Sequence, residues 1–344
     1  MMIRLNNDYS EGCHPSILLR LNEMNLEQNP GYGTDTHCAE AADAVRKAFA
    51  CPDADVHFLV GGTQANMTVI AAALRPYEAV LCADTGHINV HETGAVEGTG
   101  HKCIALQSRD GRISASQISV TAAMLDDNEH VAKPAMVYIS MSTELGTVYN
   151  RAQLRDIYLT CQQLGLYLFI DGARLGYGLM AEESDMTLPE IARLCDVFYI
   201  GGTKVGALFG EAVVIMNENL KKDFRFIMKQ RGGRMAKGRL LGVQFDTLFT
   251  NDLYFKISRH AIEMAHQIRD IFVSAGYPLL FDSPTNQQYP IMPDDELAIL
   301  GKSFGYEYWE RVDETHSGVR FCASWATKQE HVDALRAAVN ALKK

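Results

Sequence analysis

The sequence predicts an α/β protein: a large domain with a mostly parallel sheet, covered by helices on both faces, followed by a smaller α+β C-terminal domain. Three observations predict this fold. Short apolar runs alternate with segments that repeat apolar residues at helical spacing. The 344 residues, 47% of them hydrophobic, are enough for one large core and a smaller second one. Beyond Met216 the pattern becomes helical and more charged, and a short α+β segment follows.

Apolar runs of four to seven residues are typical of buried strands, and the segments between them are typical of amphipathic helices. Strands that alternate with helices form parallel sheets, because each helix carries the chain back across the sheet. The predicted strands are Val56–Val60, Ala79–Ala83, Ala135–Met141, Leu166–Ile170, Val197–Ile200 and Ala212–Met216. The predicted helices are Ala65–Leu74, Ser114–Leu125 and Arg151–Leu164.

The regions on either side of this pattern predict the domain organisation. Two polar, turn-rich segments, Asn6–Gly12 and Gln28–Thr36, surround a predicted helix from Pro15 to Met24. The later elements are predicted as helical segments Glu218–Gly233 and Asn251–Ala275, strands Gln287–Met292 and Gly318–Cys322, and a last helix Lys328–Leu342. We therefore expect an N-terminal arm at residues 1–15, a large domain at 16–245 and a small domain at 246–344.

Charge, hydropathy and cysteine content exclude several classes of protein. The net charge of −10 argues against nucleic acid as a partner, because phosphate backbones bind basic surfaces. Residues Met1–Asn7 lack the apolar run of a secretion signal, and stretches such as Leu164–Ile170 are too short to cross a membrane. The eight cysteines form no CxxC pair and no metal cluster, so we expect reduced thiols, a cytoplasmic location and no metal site.

Three unusual tetrads follow predicted strands: Gly61–Gln64, Asp171–Arg174 and Gly201–Lys204. Ligands of such sheets bind at the carboxyl ends of the strands, so one cofactor could contact all three tetrads. The interval from Asp171 to Lys204 is 33 residues, which corresponds to one strand–helix–strand unit. Both side chains are therefore expected to reach the same crevice.

Asp171 and Lys204 carry the most specific chemistry. A carboxylate at the end of a buried strand needs a positive partner, and a protonated pyridine nitrogen would serve while keeping its ring electron-withdrawing. The alternative for Asp171 is a helix cap or an ion pair with Arg174. A lysine with little charge around it loses its proton more easily, as Schiff-base formation requires. The alternative for Lys204 is an exposed loop lysine.

The segment Gly61–Asn66 opens a helix directly after a strand. Free backbone N–H groups at such a helix start, together with the hydroxyl of Thr63, form a site for phosphate. The alternative is an ordinary strand-to-helix turn with Thr63 as the cap. The sequence contains neither GxGxxG nor GxxxxGK[ST], so it has no fingerprint of dinucleotide or nucleoside-triphosphate binding.

Three further features are candidates for the same site. His87 and His91 share a face if their segment is helical, and an imidazole can stack on a cofactor or move a proton near neutral pH. Arg320 lies inside an apolar strand, where its planar fork suits a substrate carboxylate or a structural salt bridge. The basic run Lys229–Lys237 is either a phosphate contact, in this or a second subunit, or a solvated loop.

Together these segments resemble the threonine aldolase branch of the β-eliminating lyases, which are enzymes of pyridoxal 5'-phosphate (PLP) with the aspartate-aminotransferase-like fold type I. The resemblance runs from Asn6 to about Ala326. The segments that carry it, in order, are Gly62–Asn66, the His87 segment, Asp171–Leu175, Lys204 and Gly318–Arg320.

The resemblance implies a role for each of these residues. Lys204 would be the Schiff-base lysine, Asp171 the partner of the pyridine nitrogen, and His87 the group stacked on the ring. The expected cofactor contacts are Gly62, Thr63, Gln64, His87, Asp171, Arg174, Thr203 and Lys204. The expected substrate contacts are Asn7, Tyr32, Arg174 and Arg320. Members of the family form homodimers or homotetramers with shared active sites.

Two departures from the family pattern concern the substrate. Glu144 stands where familiar threonine aldolases carry a histidine, and Gly-Gly-Thr precedes Lys204 in place of Leu-Ser. Both features resemble the phenylserine and low-specificity side of the family. They leave open the preferred aldehyde and the choice between threo and erythro substrates.

The expected activity is PLP-dependent cleavage of β-hydroxy-α-amino acids of the threonine, allo-threonine or phenylserine type to glycine and an aldehyde. His87, His91 and Glu144 are the candidate bases for the β-hydroxyl proton, and the sequence does not choose among them. One alternative is β-elimination from a cysteine- or serine-like amino acid by another PLP lyase on this scaffold. A second is a non-catalytic protein that binds PLP or another ligand.

Overall fold

The computed structural model describes residues 2–343, so Met1 and Lys344, the outer ends of the predicted arm and small domain, lie outside the described residues. The strands are β1 (Ile3–Arg4), β2 (Asp55–Leu59), β3 (Glu78–Ala83), β4 (Lys102–Leu106), β5 (Lys133–Ser140), β6 (Tyr167–Asp171), β7 (Val197–Gly201), β8 (Glu211–Ile215), β9 (Gln287–Gln288), β10 (Ile291–Pro293), β11 (Phe304–Gly305), β12 (Glu307–Arg311) and β13 (His316–Cys322). The helices are α1 (Pro15–Glu23), α2 (Thr36–Phe49), α3 (Gly62–Ala73), α4 (His87–Val90), α5 (Ala115–Leu125), α6 (Arg151–Leu164), α7 (Leu175–Met180), α8 (Leu188–Arg193), α9 (Glu218–Lys221), α10 (Phe224–Gln230), α11 (Arg239–Phe249), α12 (Leu253–Ser274), α13 (Asp294–Leu300) and α14 (Gln329–Leu342).

The main sheet has seven strands in the order β2-β8-β7-β6-β5-β3-β4. All neighbouring pairs are parallel except those of β8, which is antiparallel to both β2 and β7. The carboxyl ends of β5, β6, β7 and β2 therefore meet at one edge of the sheet, and the first residue of β8 lies at the same edge. This arrangement confirms the predicted α/β class with a mostly parallel sheet.

Residues of the central strands alternate between two cores, one on each face of the sheet. In β5, Val137 and Ile139 belong to the core under α2, α6 and α11, whereas Met136 and Tyr138 belong to the core under α3 and α10. This alternation follows from the twofold period of a strand, and it explains why both faces of the sheet read as apolar in the sequence. The prediction that helices cover both faces is confirmed.

A second, smaller sheet lies in the C-terminal region. Its strands β10, β13 and β12 are antiparallel, and β9 also pairs with β13. Apolar residues of α12, α13 and α14 pack on it and form a third core. This α+β unit confirms the smaller C-terminal domain of the predicted fold class.

The N-terminal segment packs against this small domain before it reaches the main sheet. Strand β1 pairs in parallel with β11, and the N–H of Cys322 donates to the carbonyl of Leu5 at 2.6 Å. Leu5 is itself part of the third core. Residues 2–8 therefore lie between the small sheet and the carboxyl edge of the large one.

The domain boundary near residue 245 remains a prediction. It falls inside α11, and the next helix, α12, contributes Ile257 to the core of the main sheet and Ile268 to the core of the small domain. None of the described helices is both long enough and apolar enough to cross a membrane.

Several predicted boundaries differ from the structure for local reasons. The segment predicted as one strand, Gln287–Met292, is split into β9 and β10 because Pro290 has no N–H to give to a ladder. The helical segment Glu218–Gly233 is broken into α9 and α10 at Asp223, whose φ is 59°. Helix α12 begins only at Leu253, since Asn251 and Asp252 also have positive φ. Strand β4 and helix α2 were not predicted from the sequence.

The turns after β6 and β7 are held together by direct backbone contact. The N–H of Gly201 donates to the carbonyl of Gly172 at 2.8 Å, and a Cβ on Gly172 would overlap the carbonyl oxygen of Tyr199. The contact is possible only because residue 172 has no side chain.

We predict that Gly172→Ala lowers the free energy of unfolding by about 1–3 kcal/mol, because the methyl group has to push two backbone segments apart. Urea unfolding followed by circular dichroism measures the change. Gly98→Ala is the control, since a Cβ there meets no atom within 4 Å; it should alter the stability by less than about 0.5 kcal/mol. Equal stability of the two variants would contradict the prediction.

Candidate functional site

A cavity of about 350 Å³ opens at the carboxyl edge of the main sheet. Its volume lies in the range usual for sites that bind small molecules. It combines the turns after β2, β6 and β7, the segment after β5, the start of β8 and one residue of the N-terminal arm. The lining residues are Tyr9, Val60, Gly61, Gly62, Thr63, His87, Ser140, Ser142, Glu144, Asp171, Ala173, Arg174, Tyr199, Thr203, Lys204, Phe209 and Glu211.

Lys204 follows β7 and lines this cavity. Its backbone is fixed by the hydroxyl of Tyr177, which donates to the carbonyl of Lys204 at 2.6 Å. Burial lowers the pKa of the amine, and the charge of Arg174 lowers it further. Among the described residues no carboxylate lies within 4 Å of the amine. Such an amine can be neutral at moderate pH and act as a nucleophile.

Asp171 ends β6, and its buried carboxylate is held by neutral donors from several elements. Asn66 Nδ2 donates to it at 3.1 Å and the N–H of Ala173 at 2.9 Å, and the hydroxyls of Tyr138 and Tyr199 donate as well. Burial alone would raise the pKa of Asp171, but the charge of His87 and the two tyrosine hydroxyls outweigh it and lower the pKa. The carboxylate is therefore ionised, and it lines the cavity with no Lys or Arg partner in the part of the chain that the structure describes.

Arg174 is paired with Asp8 and not with Asp171. Arg174 Nε lies 2.7 Å from Asp8 Oδ2, and Nη2 lies 3.1 Å from Oδ1. Asn286 Nδ2, from the small domain, donates to the same carboxylate at 2.9 Å. Burial would raise the pKa of Asp8, but the charges of Arg174 and Lys204 lower it to about 2. The ion pair between Asp171 and Arg174 that the sequence suggested as an alternative does not form. Arg174 pairs instead with Asp8, which was not identified from the sequence.

The turn after β2 presents Gly61, Gly62 and Thr63 to the cavity, with α3 beginning at Gly62. The side chain of Gln64 points elsewhere: its Oε1 accepts from the N–H of Val60 at 3.2 Å and its Nε2 donates to the carbonyl of Arg231 at 3.3 Å. Gln64 thus fixes the turn and links it to the basic run. The N–H groups of the first turn of α3 have no intrahelical acceptor, and such a helix start can bind an anion.

His87 begins α4 and is connected to two carboxylates. The backbone N–H of His87 donates to Glu144 Oε1 at 3.0 Å, and the ring Nδ1 of His87 lies 2.8 Å from Glu92 Oε1. Asn66 Nδ2 also donates to Glu92 at 2.8 Å, which joins His87 to the Asp171 network. Glu92 was given no role from the sequence. Its spacing of five residues from His87 is the signal that could have identified it.

Glu144 lies deep in the cavity wall. The hydroxyl of Ser140 donates to its Oε1 at 2.6 Å. Burial raises the pKa of Glu144, Ser140 partly offsets this, and the charge of Asp171 raises it again. A carboxyl group in this environment can exchange a proton at a higher pH than an exposed one.

His91 lies next to His87, with the ring centroids 5.5 Å apart, but it does not line the cavity. Burial lowers its pKa, followed by the charge of His87. The charges of Arg320 and Lys204 also lower the pKa of His91. His91 therefore stands behind His87 in the wall of the site.

Arg320 reaches toward the arm from β13. Its Nη2 donates to the carbonyl of Asn6 at 3.2 Å, its Nη1 donates to Gln287 Oε1 at 3.3 Å, and its Nε is buried without a partner. The guanidinium lies over the ring of Trp309, 5.5 Å from the centroid. Among the described residues no carboxylate lies within 4 Å of Arg320.

Asn7 and Tyr32 do not line the cavity. The side chain of Asn7 accepts from the N–H of Tyr9 at 3.1 Å and so shapes the arm. Tyr32 lines a separate cavity of about 220 Å³, with Lys229 Nζ 4.4 Å from its ring centroid and Arg234 Cζ at 5.7 Å. Gln64, His91 and Arg320 are also absent from the cavity lining, so the structure brings most of the candidate residues together at the cavity and leaves five outside its lining.

Comparisons with known proteins agree with this geometry. A model of the beta-eliminating lyase family matches residues 10–338. The low specificity L-threonine aldolase of Pseudomonas aeruginosa is 30% identical over 96% of this chain and 94% of its own length. A threonine aldolase structure from Leishmania major is 42% identical and covers 99% of this chain and 100% of its own, with a TM-score of 0.98.

A more distant structure has the same fold. The serine palmitoyltransferase of S. paucimobilis, solved with bound PLP, is 14% identical and has a TM-score of 0.71, with coverage of 99% of this chain and 87% of its own. The family match spans nearly the whole described chain and includes every residue that lines the cavity except Tyr9. The chain belongs to the β-eliminating lyase family.

Proposed function

We propose that this chain is a PLP-dependent aldehyde-lyase that cleaves β-hydroxy-α-amino acids of the threonine, allo-threonine or phenylserine type to glycine and an aldehyde. The observation that carries the proposal is one cavity that holds both a buried lysine with lowered pKa and an ionised aspartate with no Lys or Arg partner among the described residues. The names of the similar Pseudomonas and Leishmania proteins support the substrate class.

The residues present fit PLP. Asp171 is a buried anion that lacks a positive partner among the described residues, which suits a protonated pyridine nitrogen. Gly62, Thr63 and Thr203 line the end of the cavity that suits the phosphate, and Gln64 shapes its turn. Lys204 would hold the cofactor covalently and His87 would stack on its ring. When bound, PLP supplies an electron sink for the carbanion left by carbon–carbon cleavage.

Arg174 and Arg320 would bind the carboxylate of the substrate. Asp8 occupies Nε and Nη2 of Arg174, which leaves Nη1 for a ligand and fixes the direction of the guanidinium. Arg320 is held by a carbonyl and an amide, both neutral groups, so its charge remains available. Asn7 and Tyr32 remain proposed substrate contacts, Tyr32 from a second copy of the chain.

His87, His91 and Glu144 remain the candidates for moving the proton of the β-hydroxyl, directly or through water. His87 and Glu144 line the cavity and are joined by a hydrogen bond, whereas His91 stands behind them. The proton of the hydroxyl has to leave as the carbon–carbon bond breaks, so a carboxylate or a neutral imidazole within reach accelerates the step.

We also propose a cytoplasmic homodimer or homotetramer with shared active sites. Leu26 is 91% exposed and Phe226 is 76% exposed, and contact with a second copy would remove these large apolar side chains from water. Tyr32 and the basic run Lys229–Lys237 lie on the same side of the chain and would reach the site of a second copy. The cysteines are all free thiols, as in a reducing compartment.

The function is tested by products. Purified protein with PLP is incubated with L-threonine, L-allo-threonine and the phenylserine isomers, and glycine and the released aldehyde are measured. We expect equimolar glycine and aldehyde, because the proposed site activates the Cα–Cβ bond. L-serine and L-cysteine serve as the comparison. Ammonia and pyruvate from these two, without glycine from the first set, would contradict the proposal.

Lys204→Ala should remove both the visible absorption band of the bound cofactor and glycine production, because no other described lysine lines the cavity. Absorption spectra and glycine assays measure the two effects. Lys302→Ala, at an exposed lysine, is the control and should leave both unchanged. A Lys204→Ala protein that keeps the band and turns over threonine would rule out this role.

Asp8→Asn should raise the KM for threonine by roughly 10–100-fold, because the loss of a charged hydrogen-bond partner of about 1.5–3 kcal/mol frees Arg174 to change direction. Steady-state kinetics and the absorption spectrum are recorded together, since the cofactor band should persist. Asp270→Asn removes a carboxylate from an exposed ion pair and should change neither value. An unchanged KM in Asp8→Asn would show that Arg174 needs no such support.

A further inference from the structure

Glu211 is a cavity residue to which neither the sequence analysis nor the proposed mechanism gives a role. It is the first residue of β8, between Leu59 of β2 and Gly201 of β7. Those two strands lead directly into the phosphate turn at Gly62 and the turn of Lys204. Glu211 is 3% exposed and lines the cavity between them.

The partners of Glu211 differ from those of the other buried carboxylates. The N–H of Gly202 donates to its Oε2 at 3.0 Å, and the hydroxyl of Thr203 adds a second contact. No Lys, Arg or His nitrogen within the described chain lies within 4 Å of it. Asp8, in contrast, has an arginine, and Asp171 has four donors. Glu211 is thus a buried acid that receives hydrogen bonds only from neutral donors.

The charged and titratable groups that face Glu211 come from three directions. Lys204 lies in the turn after β7, Tyr199 lies on the adjacent strand β7, Asp171 lies on β6 beyond it, and Tyr254 lies on α12. Burial raises the pKa of Glu211 to about 8, with partial offsets from the hydroxyl of Thr203 and the charge of Lys204. At neutral pH the group is therefore mostly an uncharged carboxylic acid, which can donate a hydrogen bond.

We propose that Glu211 is a positioning residue that keeps its proton when the cofactor is bound. Its protonated carboxyl donates a hydrogen bond on the phosphate side of the cavity, so loss of this proton weakens cofactor binding. The inference rests on the proposed function. A phosphate group carries about two negative charges at neutral pH, and an ionised carboxylate beside it without a cation would repel it. A neutral carboxyl in the same place adds a donor to those of the turn.

The main test measures cofactor affinity. Pyridoxine 5'-phosphate, which lacks the aldehyde and forms no covalent bond with Lys204, is titrated into the cofactor-free full chain at pH 7 and pH 9. Wild type and Glu211→Gln are compared, so the ionisations of the ligand itself are the same for both. Between pH 7 and pH 9 we expect the affinity of wild type to fall about tenfold more than the affinity of Glu211→Gln. The difference arises because wild type loses one proton that binding requires.

Two controls limit the interpretation. Glu144→Gln removes the other cavity carboxyl with a raised pKa and should keep the wild-type pH dependence. Unphosphorylated pyridoxine should bind with the same pH dependence to wild type and to Glu211→Gln. Equal pH dependence of phosphate-ligand binding in wild type and Glu211→Gln would overturn the role of Glu211 and leave the proposed function intact. Failure of wild type to bind PLP at any pH would overturn both.

A second measurement needs no cofactor. The pKa of Glu211 rises from its ordinary value of 4.5 to about 8 on folding, so the folded chain binds the proton more tightly than the unfolded chain. The stability that this proton confers is complete below pH 4.5 and is lost as the pH rises toward 8. Between pH 6 and pH 9 the Tm of the cofactor-free wild type should fall more than that of Glu211→Gln. An identical fall would contradict the proposal.

Discussion

The constraint on which the site depends is an ionised carboxylate that is buried at the end of a central strand and has no Lys or Arg partner among residues 2–343. Asp171 is held there by Asn66 of α3, Tyr138 of β5 and Tyr199 of β7, each from a different element. A charge in this position is costly unless hydrogen bonds and a positive ligand compensate for it. The surrounding strands and helices are therefore arranged to supply neutral donors and to leave the open side of the carboxylate for a cation from the cavity.

The other buried acids of the site differ from one another in pKa. The pKa of Asp8 is lowered because of Arg174, whereas Glu144 and Glu211 have only hydroxyl and amide donors and hold their protons at higher pH. Environment thus gives chemically similar side chains different pKa values within one site. Glu92, paired with His87, links the imidazole to the same network.

Much of the fold and of the site could be predicted from the sequence, because both depend on local patterns. The apolar runs marked the sheet, and the tetrads after them marked Asp171, Lys204 and Gly62 at its carboxyl edge. The missed residues depend on distant partners: Asp8 pairs with a residue 166 positions away, and no local pattern indicates it. Glu211 stands just before the predicted strand Ala212–Met216, and its burial follows only from the antiparallel placement of β8 between β2 and β7.

The path of the N-terminal arm has a consequence for the order of folding. Leu5 bonds to Cys322 and Asp8 to both Arg174 and Asn286, so the arm joins segments that are about as far apart in sequence as this chain allows. Contacts of such long range form late. Closing so long a loop costs conformational entropy, and the contacts offset this cost only when the intervening chain is already ordered. A folding intermediate with the main sheet complete would therefore still lack a fixed Arg174, and the ability to orient a substrate would arise only in the last step.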